Sequence, residues 1–234
     1  MHGAGLLEWR GVVRGVPTTM GLYADLIFPR LMDWGMSGPR FQEQRRLALA
    51  PVHGAVLEIG FGTGLNLPHY PKGVTSLVVL DPARMLPKEV ARRIAAAALP
   101  VEVASGSAER LPFEDGQFDC VVSTWTLCTI PDAIAALREA RRVLRPDGRY
   151  VFLEHGRSRD PRVATWQDRV NPLQRIIACG CNLNRPIDRL IELGGFRLDR
   201  VERYCLPGIP RIAGEMYRGL AAGSADAGEP PRRG

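Results

Sequence analysis

Nine consecutive residues offer the clearest chemistry in this chain: Val56-Leu57-Glu58-Ile59-Gly60-Phe61-Gly62-Thr63-Gly64. An apolar run containing one acid stops at three glycines on alternate positions. That pattern predicts a buried strand feeding a tight loop. Glycine permits positive φ and lets a ligand come close to the backbone, and a helix after the loop would aim free N–H groups at that ligand. A second carboxylate follows 21 residues after Gly60, at the end of Leu77-Val78-Val79-Leu80-Asp81. In a doubly wound sheet this strand lies beside the first, so its terminal acid reaches the ribose hydroxyls of a nucleoside held on the loop. A carboxylate accepting two hydroxyl hydrogen bonds is a strong, geometry-specific anchor.

The glycine spacing separates two ligand classes. A dinucleotide loop wants Gly-x-Gly-x-x-Gly, and its third glycine would fall at position 65, which is Leu65. The loop that holds S-adenosylmethionine (SAM) wants an acid, one residue, then Gly-x-Gly-x-Gly. Glu58 to Gly64 fits that at every place.

The surrounding elements must bring these residues to one sheet edge. Ahead of the loop, a helical pattern begins at Met20, and Pro29 should interrupt or restart it. A short Arg-rich helix covers Phe41 to Leu49. Tyr23 and Trp34 read as packing residues, in a segment placed to form a lid. After Asp81, Arg84 to Ala98 is helical in composition, and Val101 to Ala104 is a short strand. Ser107 follows it, where a side chain and the next N–H can read an adenine edge. Phe118 to Val122 is the fourth strand, leading into Ser123-Thr124-Trp125 at the ligand edge. Asp132 caps a helix over Ala133–Leu144, whose arginines face solvent. Arg149 to Leu153 is the fifth strand, closed by Glu154-His155. The stretch from Arg157 to Ile187 is the least regular, and a long insertion at a binding edge is usually functional. A helix over Pro186–Leu193 and two antiparallel strands, Phe196–Cys205 and Ile212–Ala221, complete the chain.

Bulk properties narrow the function class. The 234 residues, 45% hydrophobic, suit one α/β domain with added segments. The longest apolar run, Ile94 to Leu99, is far short of the roughly 20 residues of a membrane span. No secretory signal is evident, and five cysteines without a disulfide-framework spacing fit a reducing cytoplasm. Cys179 and Cys181 form a C-x-C, but no second cysteine pair or histidine lies near them in sequence, so no metal is expected. Cys120 and Cys128 read as buried packing residues. The net charge of +6 is spread along the chain, which points to a solvated basic surface and no nucleic-acid groove.

Taken together, these residues resemble the class I SAM-dependent methyltransferases of the type 11 domain. The matching residues are Leu57-Glu58-Ile59-Gly60-x-Gly62-x-Gly64, Asp81-Pro82, Ala108-Glu109-x-Leu111-Pro112-Phe113, Phe118-Asp119-x-Val121-Val122 and Arg142-Val143-Leu144-Arg145-Pro146-x-Gly148. A bacterial branch related to the animal membrane-associated thiol methyltransferases resembles it further, through Leu127-Cys128-Thr129, Glu154-His155, Asn171-Pro172 and Gly180-Cys181-x-Leu183-x-Arg185. The ubiquinone and menaquinone C-methyltransferases are similar in the SAM-binding half only.

The resemblance implies a Rossmann-like, doubly wound α/β fold. Its seven-stranded sheet is mostly parallel with one antiparallel strand, and helices cover both faces. It implies a methyltransferase domain over residues 20–221, with a helical lid and an insertion near 156–187. Residues 1–19 would be an extension of little structure, with Met20 a candidate start, and 222–234 a disordered tail. The implied cofactor is SAM, with S-adenosylhomocysteine as product. The backbone of Gly60, Gly62 and Gly64 would face its methionine part, with Glu58 orienting the loop or the amino group. Asp81 would hold the ribose, Ser107 and Ala108 would contact the adenine, and Asn66, Pro82 and Glu109 are further cofactor-binding candidates. Ser123 and Thr124 would border the methionine end.

Two residues depart from the family pattern. Ser107 stands where aspartate is common, and Asn182 where this branch often has histidine. His155 is the candidate base and Asn182 the candidate acceptor-orienting residue. A histidine that ends a strand is, however, more often structural. The expected acceptor is a small molecule bearing a thiol, hydroxyl or activated carbon. The alternatives are a non-catalytic SAM-binding or assembly protein and a nucleic-acid methyltransferase; the Asn-Pro-Pro-Tyr motif common in the latter is absent from the sequence.

Overall fold

The computed structural model describes residues 21, 23–81 and 86–224. Seven strands form one sheet: β1 (Gly54–Ile59), β2 (Val74–Leu80), β3 (Val101–Ala104), β4 (Phe118–Thr124), β5 (Leu144–His155), β6 (Phe196–Cys205) and β7 (Glu215–Gly223). Their order is β3-β2-β1-β4-β5-β7-β6. All neighbouring pairs up to β5 are parallel, and β7 runs antiparallel to both β5 and β6. The chain builds outward from β1 to β3, then returns to place β4 on the other side of β1. That reversal opens a ligand crevice at the C-terminal ends of β1 and β4. The register aligns those ends, because Ile59 lies opposite both Leu80 and Ser123 and Thr124 opposite Leu153.

Helices cover both faces, and the strands divide their side chains between two cores. Leu57, Ile59, Val121 and Phe152 pack with α4 (Ala133–Val143) and α6 (Ile187–Leu193). Val56, Val79, Cys120 and Val122 pack on the other face with Leu49 of α2 (Pro39–Leu49) and with Val90 and Ile94 of α3 (Pro87–Ala95). Strands buried on both faces read as continuous apolar runs. Each fully buried Leu, Val or Phe side chain contributes about 1.5–3 kcal/mol. In α4, Ala133, Ala136, Leu137, Ala140 and Val143 make the inward stripe, and Asp132 caps the helix by accepting from the Ala135 N–H at 2.9 Å.

Several sequence expectations shift. The stretch expected to be least regular contains α5 (Pro161–Ile177), a helix of 17 residues. Asp160 caps it and Pro161 opens it, both of them helix-start signals, while Pro172 inside the helix masked its length. β5 begins at Leu144, five residues before Arg149, and its pairing shifts register between Phe118 and Cys120 to absorb the Pro146–Gly148 turn. The last strand starts later than Ile212, because α7 (Arg211–Gly214) precedes it. At Pro29 the pattern restarts: Pro29 sits in the first turn of α1 (Phe28–Met36), which follows a π-helical turn at Tyr23–Ile27. The expectations for Pro82, for residues 1–19 and for 225–234 fall outside the described residues, but Ala222 and Gly223, expected in the tail, are the last residues of β7, paired with Arg149 and Phe196. Among the described residues no helix is long and apolar enough to cross a membrane.

Candidate functional site

β1 delivers the glycine loop to the crevice. Gly60, Gly62 and Gly64 have φ of +77°, +57° and +81°, a region that side chains with a Cβ rarely adopt. A Cβ on Gly60 would stand 2.1 Å from Thr126 Oγ1, so the loop after β4 is pressed against the glycine loop. The Gly60 N–H donates to Leu80 O at 2.8 Å and the Gly62 N–H to Asp81 Oδ2 at 2.6 Å. The ends of β1 and β2 are thereby joined through the two motifs that the sequence singled out.

One expectation fails here. No α-helix follows the loop; there is a single 3-10 turn at Leu67–His69. Pro71 lacks the N–H that a continuing helix would need. The loop therefore has no long helix dipole to hold a polyphosphate. Its carboxylates, Glu58 and Asp81, suit a cationic nucleoside instead.

Glu58 is buried beneath the loop. It accepts from Asn66 Nδ2 at 2.8 Å and from the Tyr70 hydroxyl at 2.7 Å. Burial pushes its carboxyl up to about 7, against the pull of those two donors and of Arg45. Asn66 Nδ2 also donates to Thr124 Oγ1 at 2.9 Å, and Asn66 Oδ1 is buried without a partner. Arg45 belongs to the helix expected to be merely Arg-rich, yet it is buried. Its guanidinium lies 4.5 Å from the Trp125 ring centroid, and burial lowers it to about 10.

A clasp closes the N-terminal side. Asp33 on α1 accepts from Thr63 Oγ1 at 2.6 Å and from Arg93 Nη1 and Nη2 at 2.6 and 3.1 Å, while Arg93 Nη1 also donates to Thr63 O at 2.8 Å. Arg93 holds the Asp33 carboxyl below the usual range. Tyr23 donates to Ile177 O at 2.9 Å, tying the same segment to α5. Trp34, read as a packing residue, is 81% exposed.

The remaining predicted residues divide. The Ser107 hydroxyl donates to Glu109 Oε2 at 2.7 Å, and Glu109 Oε1 accepts from the Asp132 N–H at 2.8 Å. These two side chains therefore tie the loop after β3 to the start of α4, and Ala108 is buried between them. Ser123 also corrects the expectation. It is buried, 2.6 Å from the Tyr150 hydroxyl, and donates to Glu154 Oε1 at 2.8 Å. Glu154 Oε2 accepts from the N–H groups of Thr126 and Leu127 at 2.9 and 3.2 Å. Burial pushes Glu154 up to about 8. Ser123 and Glu154 thus shape the turn after β4, where Trp125 has φ of +50°.

His155 and Cys181, distant in sequence, meet at the mouth of this turn. His155 Nε2 lies 3.1 Å from Cys181 Sγ, and one ligand atom each from Cys128, His155 and Cys181 lie within 4.8 Å of one another. Cys128 is buried, as expected of a packing residue, and lies beside this pair, and the C-x-C does find a histidine, in space. The Cys181 thiol and the His155 ring hold the Cys128 thiol well below the usual range, and the same pairing pushes Cys181 up. None of the five cysteines, all described, forms a disulfide.

Asn182 faces this cluster through the backbone. Its Nδ2 donates to Cys128 O at 2.8 Å and Gly180 O at 3.0 Å, and its Oδ1 accepts from Asn171 at 3.2 Å. With its amide so engaged, Asn182 fastens two loops together. Sequence reasoning missed Asp33, Tyr70, Arg45 and Thr126; a buried acid at Glu58, in need of donors, was the one signal pointing to any of them.

Comparison with known proteins places this geometry. The profile of the methyltransferase domain family matches residues 57–152, from within β1 to within β5. The human thiol S-methyltransferase TMT1B is 33% identical over 188 residues, covering 76% of each chain. Human thiol S-methyltransferase TMT1A is 33% identical over 150 residues, 61% of this chain and 59% of that relative. A SAM-dependent methyltransferase from Mesorhizobium loti superposes with a TM-score of 0.59 at 18% identity, covering 80% of this chain and all of that one; this likeness concerns the fold.

Proposed function

The chain belongs to the SAM-dependent methyltransferases, and on that premise we propose that it methylates the sulfur of a small thiol. The observation that carries the proposal is the match to a thiol S-methyltransferase over 76% of both chains. It is supported by the Asp33 clasp on α1 beside the glycine loop and by the Cys128, His155 and Cys181 cluster after β4 and β5.

The residues present fit the cofactor. The three positive-φ glycines form a tight turn that presents backbone to the crevice edge, and the unpartnered Asn66 Oδ1 can accept a donor. Bound SAM supplies a methyl group on a positively charged sulfur. In this reading Gly60, Gly62 and Gly64 hold the methionine part, and Glu58 with Asn66 attracts its ammonium. Asp81 holds the ribose and Ala108 packs on the adenine. Ser107 and Glu109 support that wall through their mutual hydrogen bond. Thr124 keeps Asn66 in place, and Ser123 acts one layer behind, on Glu154.

The protein's main task is then to hold the nucleophile at attack distance and keep water out. The Asp33 clasp serves the second need. A thiol has a reference pKa of roughly 8.5 and asks little of a base, whereas an alcohol would demand one. Initial rates with an alkyl thiol and with the matching alcohol, read as S-adenosylhomocysteine, test the proposal. Turnover of the thiol and none of the alcohol is expected. Turnover of the alcohol alone would overturn it.

A further inference from the structure

We propose that Cys128, His155 and Cys181 bind a zinc-class divalent cation through two sulfurs and one ring nitrogen, leaving its fourth position for the acceptor sulfur. The three-ligand site stands on geometry alone; only the identity of the fourth ligand rests on the thiol reading above.

The spacing carries the first half. Around a tetrahedral zinc with bonds of about 2.0–2.3 Å, ligand atoms stand about 3.5–3.8 Å apart. Here the ligand atoms lie within 4.8 Å of one another and the His155–Cys181 pair is at 3.1 Å. Movements of about 1 Å or less would close the set on a cation. Thiolate and imidazole donors together select zinc over magnesium or calcium, which prefer oxygen. Three protein ligands with a vacant fourth position is the pattern of reactive zinc sites, whereas purely structural sites are closed by four.

The supporting shell is built for the same purpose. Cys128 and Cys181 come from separate loops, and Asn182 locks them together: both its backbone N–H, at 3.0 Å, and its Nδ2 donate to Cys128 O. Asn171 Oδ1 accepts from the Leu183 N–H at 2.8 Å and fixes the loop from behind. Arg185 donates to Leu127 O and Ile130 O on either side of Cys128. Thr129 Oγ1 lies 3.4 Å from Cys128 Sγ. Both loops also carry positive φ on residues other than glycine, Trp125 at +50° and Cys179 at +47°. Such backbone persists where the surroundings over-determine it, and it clusters at functional sites. Cys128 is two residues from Thr126, which abuts Gly60, so the cluster borders the cofactor loop.

The chemistry then closes without another reagent. An acceptor thiol taking the fourth position loses its proton to solvent, because a coordinated thiol is deprotonated. The sulfur's electron pair forms the new bond to the methyl carbon as the carbon–sulfonium bond breaks, and that bond's pair stays on the sulfur of S-adenosylhomocysteine. The thioether product carries no charge, is a poor ligand, and leaves. His155 is here a ligand and not a base.

The test uses the full chain, purified under reducing conditions and stripped with a chelator. Zinc titration is expected to give one equivalent per chain. Cobalt should give sulfur-to-metal charge-transfer absorption and the visible bands of a four-coordinate ion, and 2-mercaptoethanol should shift those bands. Cys128→Ser, Cys181→Ser and His155→Ala should each weaken zinc binding by about a hundred-fold or more, since loss of even an outer partner costs about 10–100-fold. Cys205→Ser, at an exposed thiol, should not. Wild-type protein that takes up no zinc overturns the site, whatever the variants do. A Cys128–Cys181 disulfide whose reduction restores activity without metal overturns it too. Cobalt bands that ignore the thiol overturn the open position. Full-rate thiol methylation by metal-free protein removes this inference and leaves the thiol reading; metal binding without any thiol methylation does the reverse.

Discussion

Replacing Gly60 by alanine probes the contact that joins the cofactor loop to the turn after β4. The new Cβ would stand 2.1 Å from Thr126 Oγ1, 2.2 Å from Cγ2 and 2.7 Å from Cβ, with φ at +77°. The left-handed backbone costs about 1–2 kcal/mol for a residue with a Cβ. Forcing Thr126 aside costs about 1–3 kcal/mol more. The sum, about 2–5 kcal/mol, is a large share of the roughly 5–15 kcal/mol that typically stabilises a domain. Thr126→Ala should not rescue the variant, because the Thr126 Cβ remains too close. Thr126→Gly should recover the packing part, about 1–3 kcal/mol, and leave the backbone part. Urea unfolding of the three single and two double variants gives the coupling energies, and calorimetry with SAM shows whether the restored loop binds again. Additive costs for Gly60→Ala and Thr126→Gly would refute the contact. So would a Gly60→Ala protein within about 0.5 kcal/mol of the parent, the range of ordinary surface substitutions.

Three further outcomes follow from the same geometry. Asp33→Ala removes the acceptor shared by Thr63 and Arg93 and should cost about 1–3 kcal/mol in urea unfolding while raising the SAM dissociation constant; unchanged values of both would mean that the clasp holds nothing. Glu58, raised from 4.5 to about 7, binds an extra proton in the folded apoprotein, so its contribution to stability falls as pH rises from about 4.5 to 7. A cationic ligand reverses the preference, so SAM affinity should climb through that window with proton release, read by calorimetry in buffers of different ionisation enthalpy; a flat profile would place Glu58 away from the cofactor's charge. Asn182→Ala leaves Cys128 O with fewer donors and should lower stability by about 1–3 kcal/mol and slow turnover, with SAM affinity within about two-fold; loss of SAM comparable to that of Asp81→Ala would put this loop in the cofactor site.

The sheet was legible because its strands are buried on both sides. Val56-Leu57 and Leu77 to Leu80 leave little choice but a parallel core strand, and the acids and glycines that end them mark the ligand edge. The glycine loop and strand-end acids proposed to hold the cofactor were legible for the same reason: their residues are contiguous, set by strand ends and a turn. The cluster around His155 was only partly legible, because its grouping is made by the fold. Cys128, His155 and Cys181 are separated by 27 and 26 positions, and nothing in a local reading joins a Leu-Cys-Thr to an Asp-free Gly-Cys-Asn. Arg45 gave no signal of its own, since helical arginines usually face water; its burial and its place over the Trp125 ring are set by tertiary contacts. Ser123 was placed at the ligand by its motif position, yet alternation along β4 turns its hydroxyl into the Glu154 network. Pro172 obscured α5, because proline is a reliable local signal for breaking a helix, and here the helix runs through it.

The central claim, transfer of a methyl group from SAM to a small thiol, is tested most directly by mass. Protein incubated with SAM carrying a trideuteromethyl group and an alkyl thiol should yield the thioether with the intact label, one for each S-adenosylhomocysteine formed, and neither product without protein. S-adenosylhomocysteine accumulating with no labelled thioether would contradict it, as would a thioether that gains no deuterium.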